Sequence, residues 1–135
     1  MEYVANPDLD FDQVLHLYQA NQWTNYTTHP EMLRQAISHS LYILACFEEG
    51  ELVGLIRLVG DGYSIIFIQD ILVLPDYQGQ GIGTRLMKQA LNEFKGVYQI
   101  HLLTDKTEKT KAFYESLGFI EVGDMECRAY SYLPH

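Results

Sequence analysis

Between Ile71 and Met87 the chain passes from an apolar run, through a turn carrying Gly79, Gly81 and Gly83, into a segment with amphipathic helical spacing. That order commits the region to a strand–turn–helix unit, with the glycines free to adopt positive φ and to let backbone approach a ligand closely. A helix opening there aims its unpaired N–H groups and the positive end of its dipole at whatever the turn holds. The turn is therefore suited to an anion such as a pyrophosphate. Two familiar phosphate loops do not fit. A dinucleotide fingerprint counted from Gly79 requires Gly or Ala at position 84, where Thr84 stands, and a Walker loop requires Gly-Lys-Ser/Thr, whereas the first lysine after the glycines is Lys88. A glycine-rich turn that binds nothing is the alternative.

The segment Gln78-Gly79-Gln80-Gly81-Ile82-Gly83 resembles the Gln/Arg-x-x-Gly-x-Gly/Ala acyl-coenzyme A loop of the GCN5-related N-acetyltransferase (GNAT) superfamily. Val73-Leu74-Pro75 before it and Leu86-Met87 after it are similar as well. Downstream, with one helix and one strand between, Thr110-Lys111-Ala112-Phe113-Tyr114-Glu115-Ser116-Leu117-Gly118-Phe119 is similar to the family's later Asn-x-x-Ala-x-x-Phe-Tyr-x-x-x-Gly-Phe motif. The resemblance runs from Leu52 to Phe119. It departs at Thr107, where the family has Asn, and at Thr110, where it has Ala, so that asparagine's contacts to the cofactor arm do not carry over.

The resemblance implies acetyl-CoA as cosubstrate and no metal. It implies that Gln78, Gly79, Gln80, Gly81, Ile82, Gly83 and Thr84 hold the pyrophosphate, and that backbone N–H groups at Leu72, Val73 or Leu74 hold the pantetheine amides and polarise the thioester carbonyl. Tyr114, beside Phe113, matches the tyrosine that stands near the sulfur, and a phenol with an ordinary pKa of about 10 can protonate a departing thiolate. An ordinary aromatic on a helix face is the plain alternative. The family's acceptor pocket is often walled by the region corresponding to Asn21–His29, which makes Trp23 and Tyr26 candidates for acceptor binding. A hydrophobic plug over the sheet is the competing role for these two.

Asp70 is the one carboxylate within the apolar run Ile65 to Leu74. A carboxylate so placed is paired or functional, so Asp70 is a candidate general base, a candidate anchor for a cationic acceptor, or a hydrogen-bonded structural group. Asp105 reads as a helix cap, and His101 and His29 are weaker candidates. Cys46 and Cys127 read as reduced, buried thiols, with a nucleophilic cysteine as the minor alternative.

A length of 135 residues suits one domain spanning the chain, and 47% apolar with 20% charged residues is a globular composition. Nine basic against eighteen acidic residues give a net charge of −9, which disfavours nucleic acid; it suits a cationic partner, or serves solubility alone. The first residues lack a signal peptide's basic and apolar regions, and no apolar run is long enough to span a bilayer. The expectation is a cytoplasmic protein without a membrane partner.

Periodicity places a first helix capped by Asp10 or Asp8, with Phe11, Val14, Leu15 and Tyr18 inward, and a second opened by Pro30, with Met32, Leu33, Ala36 and Ile37 inward. Three antiparallel strands follow over 41–48, 52–59 and 63–74, joined at Glu49-Gly50 and Asp61-Gly62. After the glycine turn and its helix come a strand over 98–103, a helix capped by Asp105, and one or two further strands from Phe119 to Leu133. The expected fold is α+β: a mixed, mostly antiparallel sheet with helices on both faces and, as the family implies, a short first strand at Tyr3–Ala5 and a splayed parallel pair. The aromatic tail Tyr130–Leu133 is open to two uses, completing the monomer's sheet or pairing a homodimer. The function implied is direct acetyl transfer to the primary amine of a small or amino-acid-like molecule. The alternatives are a peptide N-terminus or protein lysine as acceptor, and a non-catalytic acyl-CoA-binding module.

Overall fold

Asp10 starts the first helix: its carboxylate accepts from the Asp12 N–H at 2.9 Å, satisfying one of the donors a helix start leaves free. The computed structural model describes residues 1–133 of the chain. It divides into two compact units, Met1–Leu103 and a shorter one that begins at Thr104.

The larger unit holds β1 (Glu2–Ala5), α1 (Phe11–Ala20), α2 (Thr24–Thr27), α3 (Pro30–Ser38), β2 (Tyr42–Glu48), β3 (Glu51–Gly60), β4 (Ile65–Val73), a 3-10 turn at Pro75–Tyr77, α4 (Ile82–Glu93) and β5 (Gln99–Leu102). The sheet runs in the order β1-β2-β3-β4-β5, antiparallel up to β4 and parallel between β4 and β5. The fold class expected from the sequence, a mixed α+β sheet with helices around it, is the one observed. Glu49 and Gly50 both take positive φ, +50° and +83°, which matches the turn to the strands' twist and closes the β2–β3 hairpin. At the β3–β4 turn Asp61 accepts from the N–H groups of Tyr63, Ser64 and Ile65 and from the Ser64 hydroxyl. These donors, the hydroxyl first, hold the Asp61 carboxyl far below its ordinary pKa.

The sheet's faces are told apart by alternation along β3. A side chain at Gly54 would meet Ile82 and Leu86 of α4, whereas Arg57, three residues on, reaches Ala36, Ser40 and Tyr26 on the other side. Helices α1 to α3 thus cover one face and α4 the other. The core between is apolar and complete: Val14, Leu17, Leu33, Leu44, Leu55, Ile56, Leu58, Ile66, Leu86 and Met87 have essentially no exposure. Two expected helix faces are rotated. In α1 the buried residues are Val14, Leu17 and Tyr18, with Leu15 at the margin, and in α3 Leu33 is buried while Met32 is exposed. The Asn21–His29 region between them contains the helical turn α2.

The smaller unit contains α5 (Glu108–Ser116) and a 3-10 turn at Val122–Met125. The cap of α5 is Thr107, not Asp105: its hydroxyl accepts from the Thr110 N–H at 3.1 Å, and Asp105 contributes its backbone carbonyl, which accepts from the Thr107 N–H and the Thr110 hydroxyl. The two threonines that depart from the family motif are therefore partners in one capping arrangement. No strand follows β5 among the described residues, contrary to expectation. The Cys127 N–H turns back to the Val122 carbonyl, and Tyr130, Tyr132 and Leu133 stand more than four-fifths exposed, so the alternating apolar pattern finds no ladder. Cys127 is exposed, which corrects the expected burial; Cys46 is buried, and burial raises its thiol pKa.

Candidate active site

The parallel pair β4–β5 is registered only from Ile65↔Gln99 to Ile68↔Leu102, yet β4 continues to Val73. The cause of the parting lies on the other edge of β4. Arg57 pairs with Asp70 and Leu58 with Ile68, so Gln69 is an extra residue, a β-bulge that kinks the strand where its pairing with β5 stops. Beyond the bulge the edge of β4 that faces away from β3 pairs with no strand among the described residues.

Antiparallel alternation decides which amides face that free edge. The Leu74 N–H donates to the Val53 carbonyl at 2.8 Å, and by the same alternation Leu72 also faces β3. Val73 points the other way. Of the three backbone donors expected near the cosubstrate, Val73 alone presents its N–H outward. Its carbonyl is capped by the Gln78 side-chain amide at 3.0 Å, which also reaches Asn21 Oδ1 at 3.3 Å, while the Gln78 N–H bonds the Pro75 carbonyl. Gln78 thus braces the loop against the strand end with the donors the sequence reading had assigned to a ligand.

Gly79 and Gly81 take φ of +80° and +83°, a region that side-chain-bearing residues rarely adopt, and a Cβ on either would meet no atom within 4 Å. Gly81 is the N-cap of α4, and the first helical bond runs from Arg85 N–H to the Gly81 carbonyl. The amides of Ile82, Gly83 and Thr84 precede that bond, so α4 opens with free donors facing an open glycine turn. Gly83 lies within the helix, not in the left-handed region expected of it. An open cradle of this kind, lined by backbone donors and free of side chains, fits a pyrophosphate.

Asp70 lies on the opposite face of the sheet from α4 and is 2% exposed. Its Oδ2 accepts from Tyr18 Oη and from Arg57 Nε, each at 2.8 Å, and its Oδ1 accepts from Tyr26 Oη at 3.0 Å. The Tyr26 hydroxyl in turn accepts from Gln69 Nε2 and Arg57 Nη2, both at 3.3 Å. Neighbouring strand residues normally face opposite ways; the bulge is what brings Gln69 and Asp70 to one hydroxyl. Burial opposes the charge on Arg57, but the paired carboxylate outweighs it and the guanidinium pKa is raised. Burial first, then the charge of Asp70, raises the pKa of Tyr18 well above the ordinary value and that of Tyr26 less far. Both phenols remain donors throughout the neutral range.

Trp23 completes the cluster, stacked on Tyr26 at 6.2 Å between centroids and set edge-on to Tyr18 at 5.7 Å. The sequence reading brought Trp23, Tyr26 and Asp70 forward, and the structure gathers all three. It missed Arg57 and Gln69. Arg57 was legible as the one cation inside its apolar strand, but its pairing with Asp70 was not, because the register depends on the bulge at Gln69, which leaves no sequence signal. The weaker candidates stay apart: His29 is the exposed residue before α3, and His101 bonds only Gln99, at 3.3 Å.

In the smaller unit Tyr114 is half-buried on α5, edge-on to Phe113 at 5.0 Å and to Phe119 at 5.8 Å. Burial raises its hydroxyl pKa, with a bond to Thr104 working against the shift and Asp105 adding to it.

A bulged strand that diverges from its parallel neighbour thus lies beside a glycine turn that opens a helix with free backbone donors. The chain belongs to the GNAT family: the model of the acetyltransferase (GNAT) domain matches residues 8–132. The family's cosubstrate is acetyl-CoA. A GNAT-family acetyltransferase of Streptococcus pneumoniae has a solved structure that is 48% identical and superposes with a TM-score of 0.88, over 98% of this chain and 96% of that one. Spermidine N(1)-acetyltransferase of Escherichia coli is 31% identical over 93 residues, covering 65% of this chain and 49% of that enzyme. The N-acetyltransferase PaiA of Thermoplasma acidophilum, solved with coenzyme A, shares the fold at 17% identity and a TM-score of 0.67, over 87% and 89% of the two chains. The chain spans about half the length of most of the curated relatives it matches. No helix among the described residues is long and apolar enough to cross a membrane.

Proposed function

We propose that the chain is one acetyltransferase domain, acting in the cytoplasm, that transfers acetyl from acetyl-CoA directly to the primary amine of a small, cationic molecule. The observation that carries this reading is the glycine turn at the start of α4 beside the free edge of β4. In it the amides from Gly79 to Thr84 receive the pyrophosphate, and the Val73 N–H receives a pantetheine carbonyl or the thioester oxygen. The neutral amine's lone pair attacks the thioester carbon, the carbon–sulfur bond breaks, and the sulfur leaves as a thiolate that takes a proton. Tyr114 is assigned that proton. Burial keeps its phenol protonated at neutral pH, and its match to the family motif supports the role.

Asp70 is not assigned the base. Its oxygens already accept three hydrogen bonds and its charge is met by Arg57, so the amine's proton leaves through solvent. The acceptor wall is Trp23 with Tyr26, whose aromatic faces attract a cation, and the net charge of −9 attracts one over longer range. The E. coli relative named for spermidine supports an amine of this class. The test of the cosubstrate site is calorimetric titration with coenzyme A. Binding by the wild type and none by Gly81→Val is the result expected, and wild-type affinity in that variant removes the loop from the reading.

A further inference from the structure

Arg57 has no place in the chemistry above, yet its buried guanidinium joins β4, α2 and the end of α3. Its Nε holds Asp70 on β4, its Nη2 holds the hydroxyl of Tyr26 on α2, and its Nη1 reaches Ser40 Oγ at 3.3 Å, beyond the end of α3. It is 4% exposed. Helix α2 has four residues and no side-chain bond at its N-cap, and an isolated helix of that length does not hold itself together in water. What fixes it is Tyr26, whose ring packs edge-on to Tyr18 and whose hydroxyl is held by Asp70, Arg57 and Gln69 at once. Trp23, the residue before α2, is stacked on that same ring. Trp23 also meets Tyr18 edge-on, and both rings that hold it, Tyr26 and Tyr18, donate to Asp70, the carboxylate that Arg57 binds.

We propose that Arg57 is the positioning residue of the acceptor wall: by bonding Asp70 and Tyr26 together it locks α2, and with it Trp23, against the bulge of β4. The inference rests on the reading of Trp23 and Tyr26 as that wall. A purely structural ion pair would need only a charge at position 57. A positioning role needs the planar fork, because one Lys ammonium cannot reproduce the divergent bonds to Asp70, Tyr26 and Ser40. Arg57→Lys separates the two, since it keeps the charge and removes the fork.

Two readouts decide. The first is Trp23 fluorescence, which is unambiguous because the chain has one tryptophan. Arg57→Lys, still folded by far-UV circular dichroism, is expected to show red-shifted emission and readier quenching by acrylamide, and Tyr26→Phe is expected to do the same. The second is kinetic, on an amine that the wild type acetylates. Each variant should raise KM for the amine about tenfold, the loss of one charge-assisted hydrogen bond, with kcat and coenzyme A affinity little changed. The double variant should be no worse than the worse single, because both changes cut one tether. Unaltered emission and quenching in Arg57→Lys overturn the proposal, and so does a double variant whose KM is the product of the two single effects. If Arg57→Lys does not fold, Tyr26→Phe decides by the same readouts, because it leaves the Arg57–Asp70 pair in place. The fluorescence arm needs no catalysis, so a wild type that binds no coenzyme A defeats the proposed function while the positioning of Trp23 by Arg57 is still decided.

Discussion

Tyr114 and Asp70 are the two side chains to which the sequence most readily gives chemistry, and their surroundings separate them. Tyr114 sits among aromatic rings with its hydroxyl kept protonated, and Tyr114→Phe is expected to lower the rate of the chemical step about 10²-fold with little change in coenzyme A affinity. Single-turnover acetylation checks this, and an unchanged rate takes Tyr114 off the pathway. Asp70 is enclosed by donors. Asp70→Asn leaves Arg57 buried without its counter-charge, so the expected effect is a stability loss of about 3 to 5 kcal/mol, read by urea denaturation. A retained kcat per folded molecule with a raised KM for the amine supports the positioning role, and a selective loss of kcat in a stable variant restores the base. The same cluster sets an alkaline limit. Because Tyr18 and Tyr26 have pKa values raised above that of an unfolded tyrosine, their contribution to stability is whole below pH of about 10 and is lost as pH climbs through their folded values. Thermal melts from pH 8 to 11 should therefore fall more steeply for the wild type than for Tyr18→Phe.

The glycine turn shows how much an element can reveal and where its sequence stops speaking. Gly79 and Gly81 were legible because positive φ has a residue signature, and the helix behind them because Leu86, Met87 and Ala90 recur at helical spacing. Gly83 was misjudged since a glycine in a helix reads like a glycine in a turn. The free edge of β4 was expected only through the family resemblance, and nothing in the residues themselves marks it. It depends on the extra residue Gln69 and on a register with β5 that stops at Ile68, and a bulge changes pairing without changing hydrophobic pattern. The strands expected after Phe119 failed for the converse reason: the alternation is present, but a strand also needs a neighbour. At this scale Gly81→Val is the decisive variant. Its φ of +83° costs a β-branched residue roughly 1 to 2 kcal/mol or more, and its side chain enters the open cradle. A folded variant with no thermal shift at coenzyme A concentrations that stabilise the wild type is the outcome expected, and an undiminished shift contradicts the phosphate-loop assignment.

For the molecule as a whole, the proposed acceptor approaches as a cation, drawn by the acidic balance and by the Trp23–Tyr26 pair, and reacts as a neutral amine. Attraction of that kind weakens with salt, so KM for the amine should rise between low and physiological ionic strength while kcat holds. An acceptor whose KM ignores salt argues against electrostatic capture. The central claim is that this chain moves an acetyl group from acetyl-CoA to a small primary amine. The direct measurement is mass spectrometry of a panel of polyamines, monoamines, amino acids and peptides incubated with the purified protein and acetyl-CoA. A 42 Da gain on a cationic small amine, absent with Gly81→Val and strongly reduced with Tyr114→Phe, is the result the account expects. Acetylation confined to peptides, or coenzyme A binding with no acetylated product anywhere in the panel, contradicts it.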